Sequence, residues 1–167
     1  GMDAAFDTTH WSDFGVAVTG ASAALAGLLI VAVSINLQPI LANRGLPRRV
    51  FIALVLLTTP LLFSVVLLVP AEAPRFVGSA LTAIGVASGI ILGVAASPSS
   101  RPVERSLLQW LIAPVLPAVL LSVSIVLAGV GVLTGTIGGL YWLPVAFVAS
   151  VLGGLVQMWV LLIEILR

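Results

Sequence analysis

Polar residues in the last apolar stretch of this chain are the first candidates for chemistry. Ser150, Gln157 and Glu164 are spaced by seven residues, so a helix would carry all three on nearly the same face. A buried amide that lacks a partner costs about 1–3 kcal/mol, and Gln157 is therefore expected to face another helix or water. The stripe predicts either hydrogen bonds between helices or the wall of a water-lined path.

A second polar group closes the first apolar stretch. Ser34, Asn36 and Gln38 stand at alternate positions there. Together with the stripe at the end of the chain, they could line the inner vestibule of a pore. Hydrogen bonds to the backbone at a helix end are the alternative role for Asn36 and Gln38.

Residue types that catalyse reactions are scarce in this chain. It has one His and no Cys, and it contains no Ser/His/acid set and no metal-ligand spacing. His10 lies near Asp3, Asp7 and Asp13, but these side chains would share a face only if that segment were helical. We therefore expect no enzyme activity, no cofactor and no bound metal.

Five long apolar stretches must position these polar residues. The chain is 60% hydrophobic and only 8% charged, whereas a soluble domain carries about 25% charged residues. Each stretch reaches the ~20 residues with which a helix crosses the hydrocarbon core of a bilayer. The sequence predicts an all-α integral membrane bundle in one transmembrane domain, with spans at about 14–37, 50–69, 76–96, 107–133 and 141–165.

The arginine residues predict how this bundle is oriented. One side of the predicted topology carries Arg44, Arg48, Arg49, Arg101, Arg105 and Arg167, and the other carries Arg75. Because basic residues concentrate in cytoplasmic loops, the N-terminus is predicted outside and the C-terminus in the cytoplasm. The inner arginines also suit anionic lipid headgroups, which leaves a lipid-binding role open.

The acidic start and the small net charge support two further expectations, one about the first span and one about partners. Asp3 and Asp7 stand where a signal peptide would carry basic residues, so the first stretch is expected to be a retained span. The formal net charge is +1, which gives no basis for nucleic acid as a partner.

Small residues predict close contact between helices. Gly85, Gly89, Gly93 and Ser97 follow at four-residue intervals and would form one groove along the third span. Helices in lipid associate by packing, and small residues let their backbones approach. The partner helix could belong to the same chain or to a second subunit.

Three prolines fall inside the predicted spans, namely Pro60, Pro114 and Pro117. Each removes one backbone hydrogen bond and should bend its helix, and nearby hydroxyls can satisfy the freed carbonyl. A fixed kink is the expected result, with a moving hinge as the alternative.

The amino-acid sequence of the first predicted span is the most distinctive part of the chain. It reads Trp11-Ser12-Asp13-Phe14, then Gly20-Ala21-Ser22-Ala23-Ala24-Leu25-Ala26-Gly27-Leu28, then Val33-Ser34-Ile35-Asn36-Leu37. This pattern resembles a family of small five-span integral membrane proteins of actinobacterial type, mainly over residues 11–75. The resemblance implies a multi-pass protein of the bacterial inner membrane and implies no particular activity.

Two functions follow from these features. The first is a passive channel or transporter for an ion or small solute, formed by a homo-oligomer in the lipid bilayer. Its polar path would use Ser150, Gln157 and Glu164 with Ser34, Asn36 and Gln38. The alternative is a non-transporting scaffold or regulatory subunit, whose glycine faces bind another membrane protein.

Overall fold

Helices make up nearly all of the structure. The computed structural model describes residues 3–70, 73–97 and 115–166, and this part of the chain contains no strand. Its α-helices are α1 (Ser12–Ile35), α2 (Leu37–Ala42), α3 (Leu46–Leu68), α4 (Pro74–Ala95), α5 (Leu116–Thr134) and α6 (Trp142–Ile165). Short 3₁₀ turns lie at Asp3–Ala5, Thr8–Trp11 and Gly139–Tyr141.

Within the described ranges, five helices are long and apolar enough to cross a membrane, and α2 is the exception. This confirms the predicted helical fold with five candidate spans, which is the architecture of a multi-pass membrane protein. The helix ends lie within four residues of the predicted span ends, apart from the start of the fourth span. Residues 107–114 of that span lie outside the described residues, as do Arg101, Arg105 and Arg167.

Proline and glycine fix several helix ends. Pro47 and Pro74 lie in the first turns of α3 and α4, where a missing N–H costs nothing. Pro117 is the second residue of α5 (Leu116–Thr134), directly after the residues that are not described. Gly135 ends α5 with a left-handed backbone (φ 68°), a conformation that other residues rarely adopt.

The packing order puts α3 in the centre and α1 at the edge. Helix α3 contacts α1, α4 and α6, whereas α1 packs mainly against α3. Accordingly 50% of the most apolar window of α3 is buried, against 22% for the first span. The most extensive contact in the bundle joins α4 to α5. These neighbours determine which side chains can meet.

Large apolar side chains fill the interior. Phe63, Leu81, Leu121, Ile125 and Leu143 are fully buried in the main cluster between the helices. Many other apolar residues point outward, as expected of helices that face lipid tails. Their outward positions mean that helix packing, and not exclusion from water, must hold the bundle together.

The turn between α5 and α6 is tied to the N-terminal segment. Ile137 has a positive φ of 64°, and its carbonyl accepts a hydrogen bond of 2.5 Å from the Trp142 indole. The backbone of Gly139 lies against Ala5 and Phe6 so closely that a side chain at this position would collide with them. At this end of the bundle, the N-terminal segment therefore packs against the turn between α5 and α6.

Candidate functional site

The polar stripe of α6 faces α3, the central helix. Pro60 lies inside α3 and has no N–H, so the carbonyl of Leu56, four residues earlier, loses its helical hydrogen bond. The Ser150 hydroxyl donates to that carbonyl, and both residues are fully buried. Ser150 thus replaces the donor that Pro60 removes.

Two glycines bring α6 close enough for this contact. A side chain on Gly153 would come within 2.5 Å of the Pro117 ring, and one on Gly154 within 2.7 Å of Leu57. Contacts this short do not occur between real atoms, so a side chain on Gly153 would push against the rigid Pro117 ring, and one on Gly154 would force the Leu57 side chain to move. The approach of α6 to α3 and α5 is therefore built on the small residues beside the stripe.

Arg49 of α3 holds the other two members of the stripe. Its Nη1 donates to Gln157 Oε1 at 3.4 Å, and its Nε lies 3.5 Å from Glu164 Oε2. Gln157 is 1% exposed, while the Arg49 and Glu164 side chains are 16% and 25% exposed. One guanidinium therefore serves both an amide and a carboxylate between two spans, which suits its several donors.

The sequence predicted the stripe on α6 but not its partners. Arg49 entered the prediction through its positive charge alone, as a sign of orientation and as a residue that suits lipid headgroups. Pro60 indicates that the Leu56 carbonyl needs a new donor, but no interval within α3 shows that α6 supplies it. We call the contact surface of α3 and α6, where Ser150, Gln157 and Glu164 meet α3, the seam.

The second polar group does not join this seam. The Ser34 hydroxyl donates to the Ile30 carbonyl at 2.8 Å, and the Asn36 amide donates to the Ala32 carbonyl at 2.9 Å. Ser34 and Gln38 are exposed on the outer surface. In the described part of the chain, no hydrogen bond or ion pair connects these residues with the α6 stripe. Asn36 has the local role that the sequence left open.

The glycine groove of α4 is partly filled by α5 of the same chain. A side chain on Gly85 would lie 2.7 Å from Val126, and one on Gly89 would lie 3.3 Å from Ser122. At Gly93 an added side chain would meet no described atom within 4 Å. Gly93 and Ser97 instead line an open depression of about 380 Å³ between the diverging ends of α4 and α5.

The closest approach of α4 and α5 involves two glycines outside the predicted groove. A side chain on Gly129 would come within 2.6 Å of the Thr82 backbone nitrogen, and one on Gly78 within 2.6 Å of Leu133. Gly78 lies seven residues before Gly85, on the same face of α4. The groove therefore extends toward the start of α4, and it is tightest there.

Some buried hydroxyl groups form hydrogen bonds between helices, and others have no described partner. Thr19 of α1 and Ser64 of α3 share a hydrogen bond of 2.7 Å. Ser22 and Ser122 are also buried, and their hydroxyls have no hydrogen-bond partner among the described residues. The Thr19 contact ties the edge helix to the centre.

The acidic N-terminal segment forms local contacts. Thr9 donates to Asp7 from its hydroxyl at 2.7 Å and from its backbone N–H at 3.0 Å. These two hydrogen bonds, the side-chain one first, lower the pKa of Asp7 below its usual range. His10 Nε2 lies 3.7 Å from Asp7 Oδ2. Among the described residues, no three of His, Asp and Glu come together where they could hold a metal.

Comparison with protein-family models, with curated proteins and with solved structures gave no match. The resemblance of residues 11–75 to a five-span bacterial family stays a prediction.

Proposed function

We propose that this protein is a non-transporting membrane subunit, which docks onto a transmembrane helix of another membrane protein through the outer face of α1. The observation that carries the proposal is an outer surface of small residues on the edge helix. Gly20, Ala24 and Gly27 are all exposed on α1. At Gly20 and Gly27 an added side chain would meet no described atom within 4 Å.

The spacing of these residues suits a helix partner. Gly20, Ala24 and Gly27 are four and three residues apart, so they lie one above the other on a helix face. Small residues at such intervals let a second helix approach until the backbones touch, and this close packing drives helix association in lipid. We define Gly20, Ala24 and Gly27 as the α1 docking face.

The α1 docking face differs from the glycine face of α4. Gly78 and Gly85 of α4 are already in close contact with α5, so those positions serve the fold of this chain. Helix α1 packs mainly against α3 and leaves its opposite face outward. A free face of small residues on a peripheral helix is the arrangement that a docking subunit requires.

The α6 stripe supports a subunit that does not conduct. Ser150 donates to the Leu56 carbonyl, and Arg49 contacts both Gln157 and Glu164. These contacts join α3 to α6. Polar residues with that role stabilise a bundle without forming a path for solutes.

A passive channel or transporter is the second candidate, and one observation favours it. Arg49 and Glu164 are ionisable residues that lie largely buried between two spans, and such residues often mark ion or solute pathways. Under this alternative, the seam of Arg49, Gln157 and Glu164 opens to water in an assembled homo-oligomer.

The location and orientation belong to the same proposal. The resemblance of the first span favours the bacterial inner membrane. The arginine distribution favours an outside N-terminus and a cytoplasmic C-terminus.

Position-specific cross-linking tests the docking proposal. Because the chain has no Cys, each cysteine variant carries a single thiol. Ala24→Cys and Leu152→Cys would be compared in membranes of the cells that make the protein, with a thiol cross-linker. Leu152 is also exposed, at 58%, but it lies on α6. The proposal expects a defined adduct from Ala24→Cys only. Equal adducts from both positions, or none from either, would contradict docking through α1.

A further inference from the structure

A groove on the outer surface combines a positive charge with apolar walls. It lies where the start of α3 meets the end of α4, and its volume is about 460 Å³. It is lined by Arg48, Phe51, Ile90, Ile91, Val94 and Ala95. Four of the five apolar lining residues are well exposed, from 43% at Ile91 to 72% at Val94, and Ala95 is half-buried, so the groove opens toward the lipid.

Arg48 differs from its neighbour Arg49 in its surroundings. Arg49 has Glu164 beside it, which balances its charge. Arg48 is half-buried at the end of the groove, and within the described residues no carboxylate lies within ion-pair distance of it. A guanidinium so placed attracts an anion that can reach it from the membrane.

The shape of the groove limits what that anion can be. From Ala95 to Ile90 the groove follows six residues of α4, and the five steps between them correspond to about 8 Å along the helix axis. A free phosphate would leave these apolar walls without a partner. An anion that carries an acyl chain fills both parts, and such molecules surround every membrane protein.

We infer that this groove binds an anionic phospholipid, whose phosphate pairs with Arg48 and whose acyl chain lies against Phe51, Ile91 and Val94. Basic pockets between transmembrane helices recognise lipid headgroups in this way. The inference is independent of the docking function proposed for α1, because the two surfaces lie on different helices.

Native mass spectrometry of the purified protein tests the charge requirement. The detergent-solubilised chain would be mixed with equal amounts of phosphatidylglycerol and phosphatidylcholine. We expect the wild type to retain phosphatidylglycerol preferentially. Arg48→Gln should lower that preference about fivefold, the factor that corresponds to ~1 kcal/mol for one basic side chain near anionic headgroups.

Arg44→Gln is the matched control, since Arg44 is exposed at the same end of the bundle but does not line the groove. Its lipid preference should equal that of the wild type. Equal retention of both lipids by the wild type, or an equal loss in Arg44→Gln and Arg48→Gln, would overturn the site.

A second pair of variants tests the acyl-chain part of the groove. Val94→Trp places a large side chain in the groove, whereas Ile35→Trp places one on an exposed part of α1 at the same end of the bundle. We expect Val94→Trp to reduce phosphatidylglycerol retention severalfold and Ile35→Trp to leave it unchanged. Full retention by Val94→Trp, or displacement of the lipid by inorganic phosphate, would show that the groove does not hold the lipid chain.

Discussion

Single residues join α3 to α6 through donors and acceptors that complement one another. Pro60 deprives the Leu56 carbonyl of its partner, and the Ser150 hydroxyl supplies a new one. One turn from the start of α3, Arg49 contacts both Gln157 and Glu164. Buried polar groups are costly unless they are paired, so each of these contacts makes a specific prediction about stability.

Replacing Ser150 should destabilise the fold through the Leu56 carbonyl. Ser150→Ala leaves that carbonyl buried without a donor, and we expect a loss of about 1–2 kcal/mol in the free energy of unfolding. The measurement is equilibrium unfolding in mixed micelles, followed by circular dichroism. This variant changes no glycine and should keep the helix content. The measured loss of stability therefore reports on one hydrogen bond.

A double-mutant cycle with Pro60 provides the control. Pro60→Ala restores a backbone N–H that can bond to the Leu56 carbonyl. In that background Ser150→Ala should cost much less than in the wild type. An equal cost in both backgrounds would show that Ser150 does not act through the carbonyl that Pro60 frees.

Replacing Arg49 should also lower stability, because Gln157 and Glu164 both lose its guanidinium. We expect Arg49→Gln to cost about 1–3 kcal/mol, because it removes two contacts between α3 and α6 at once. Arg44→Gln removes the same charge from an exposed loop position and should change the free energy of unfolding by less than about 0.5 kcal/mol. Similar losses in the two variants would assign the effect to net charge and not to the α3–α6 contact.

The sequence predicted which residues of α6 share a face, but not which residues they contact. The interval between Ser150, Gln157 and Glu164 follows from helical geometry alone. The partners Leu56 and Arg49 lie about 100 positions away, and they become neighbours only because α6 packs against α3. Periodicity within one helix carries no information about that choice of neighbour.

Pairs of helices in this bundle are held by small residues at their closest points. Gly78 and Gly129 bring α4 and α5 together at one end, and the two helices diverge toward Gly93. Helix α6 uses Gly153 and Gly154 in the same way against α3 and α5. Close packing is the main attraction between helices in lipid, so these positions should be the most sensitive to added volume.

A larger side chain should lower stability at Gly129 but not at Gly93. Gly129→Leu forces atoms into the Thr82 backbone and should cost at least about 1–3 kcal/mol, as overpacking does. Gly93→Leu projects into the open depression and should leave stability nearly unchanged. Yield of monodisperse protein and equilibrium unfolding in micelles measure both effects. Equal tolerance at the two positions would contradict the α4–α5 packing described here.

The sequence predicted this element-level packing only in part. The interval of four residues made Gly85, Gly89 and Gly93 visible as one face. The interval does not show which end of that face is covered by α5 and which end is open. The covered part depends on the angle at which α5 crosses α4. Gly129 stayed unnoticed since its importance comes from Thr82 on another helix.

In the molecule as a whole, the central helix α3 is well packed, whereas the edge helix α1 is mostly exposed. Helix α3 packs against α1, α4 and α6, while α1 leaves Gly20, Ala24 and Gly27 outward. The polar groups of the centre are engaged in contacts between α3 and α6, and the small residues of the edge are available to another helix. This division of roles is the basis for proposing a docking subunit that does not transport.

The most direct test of that proposal is the ion conductance of the purified protein in planar bilayers, beside an empty bilayer and a known pore. The α3–α6 contacts of Ser150 and Arg49 predict no protein-dependent current for several ions and voltages. Discrete currents that disappear in Gln157→Leu would contradict the account, since they would show that the seam between α3 and α6 opens to water.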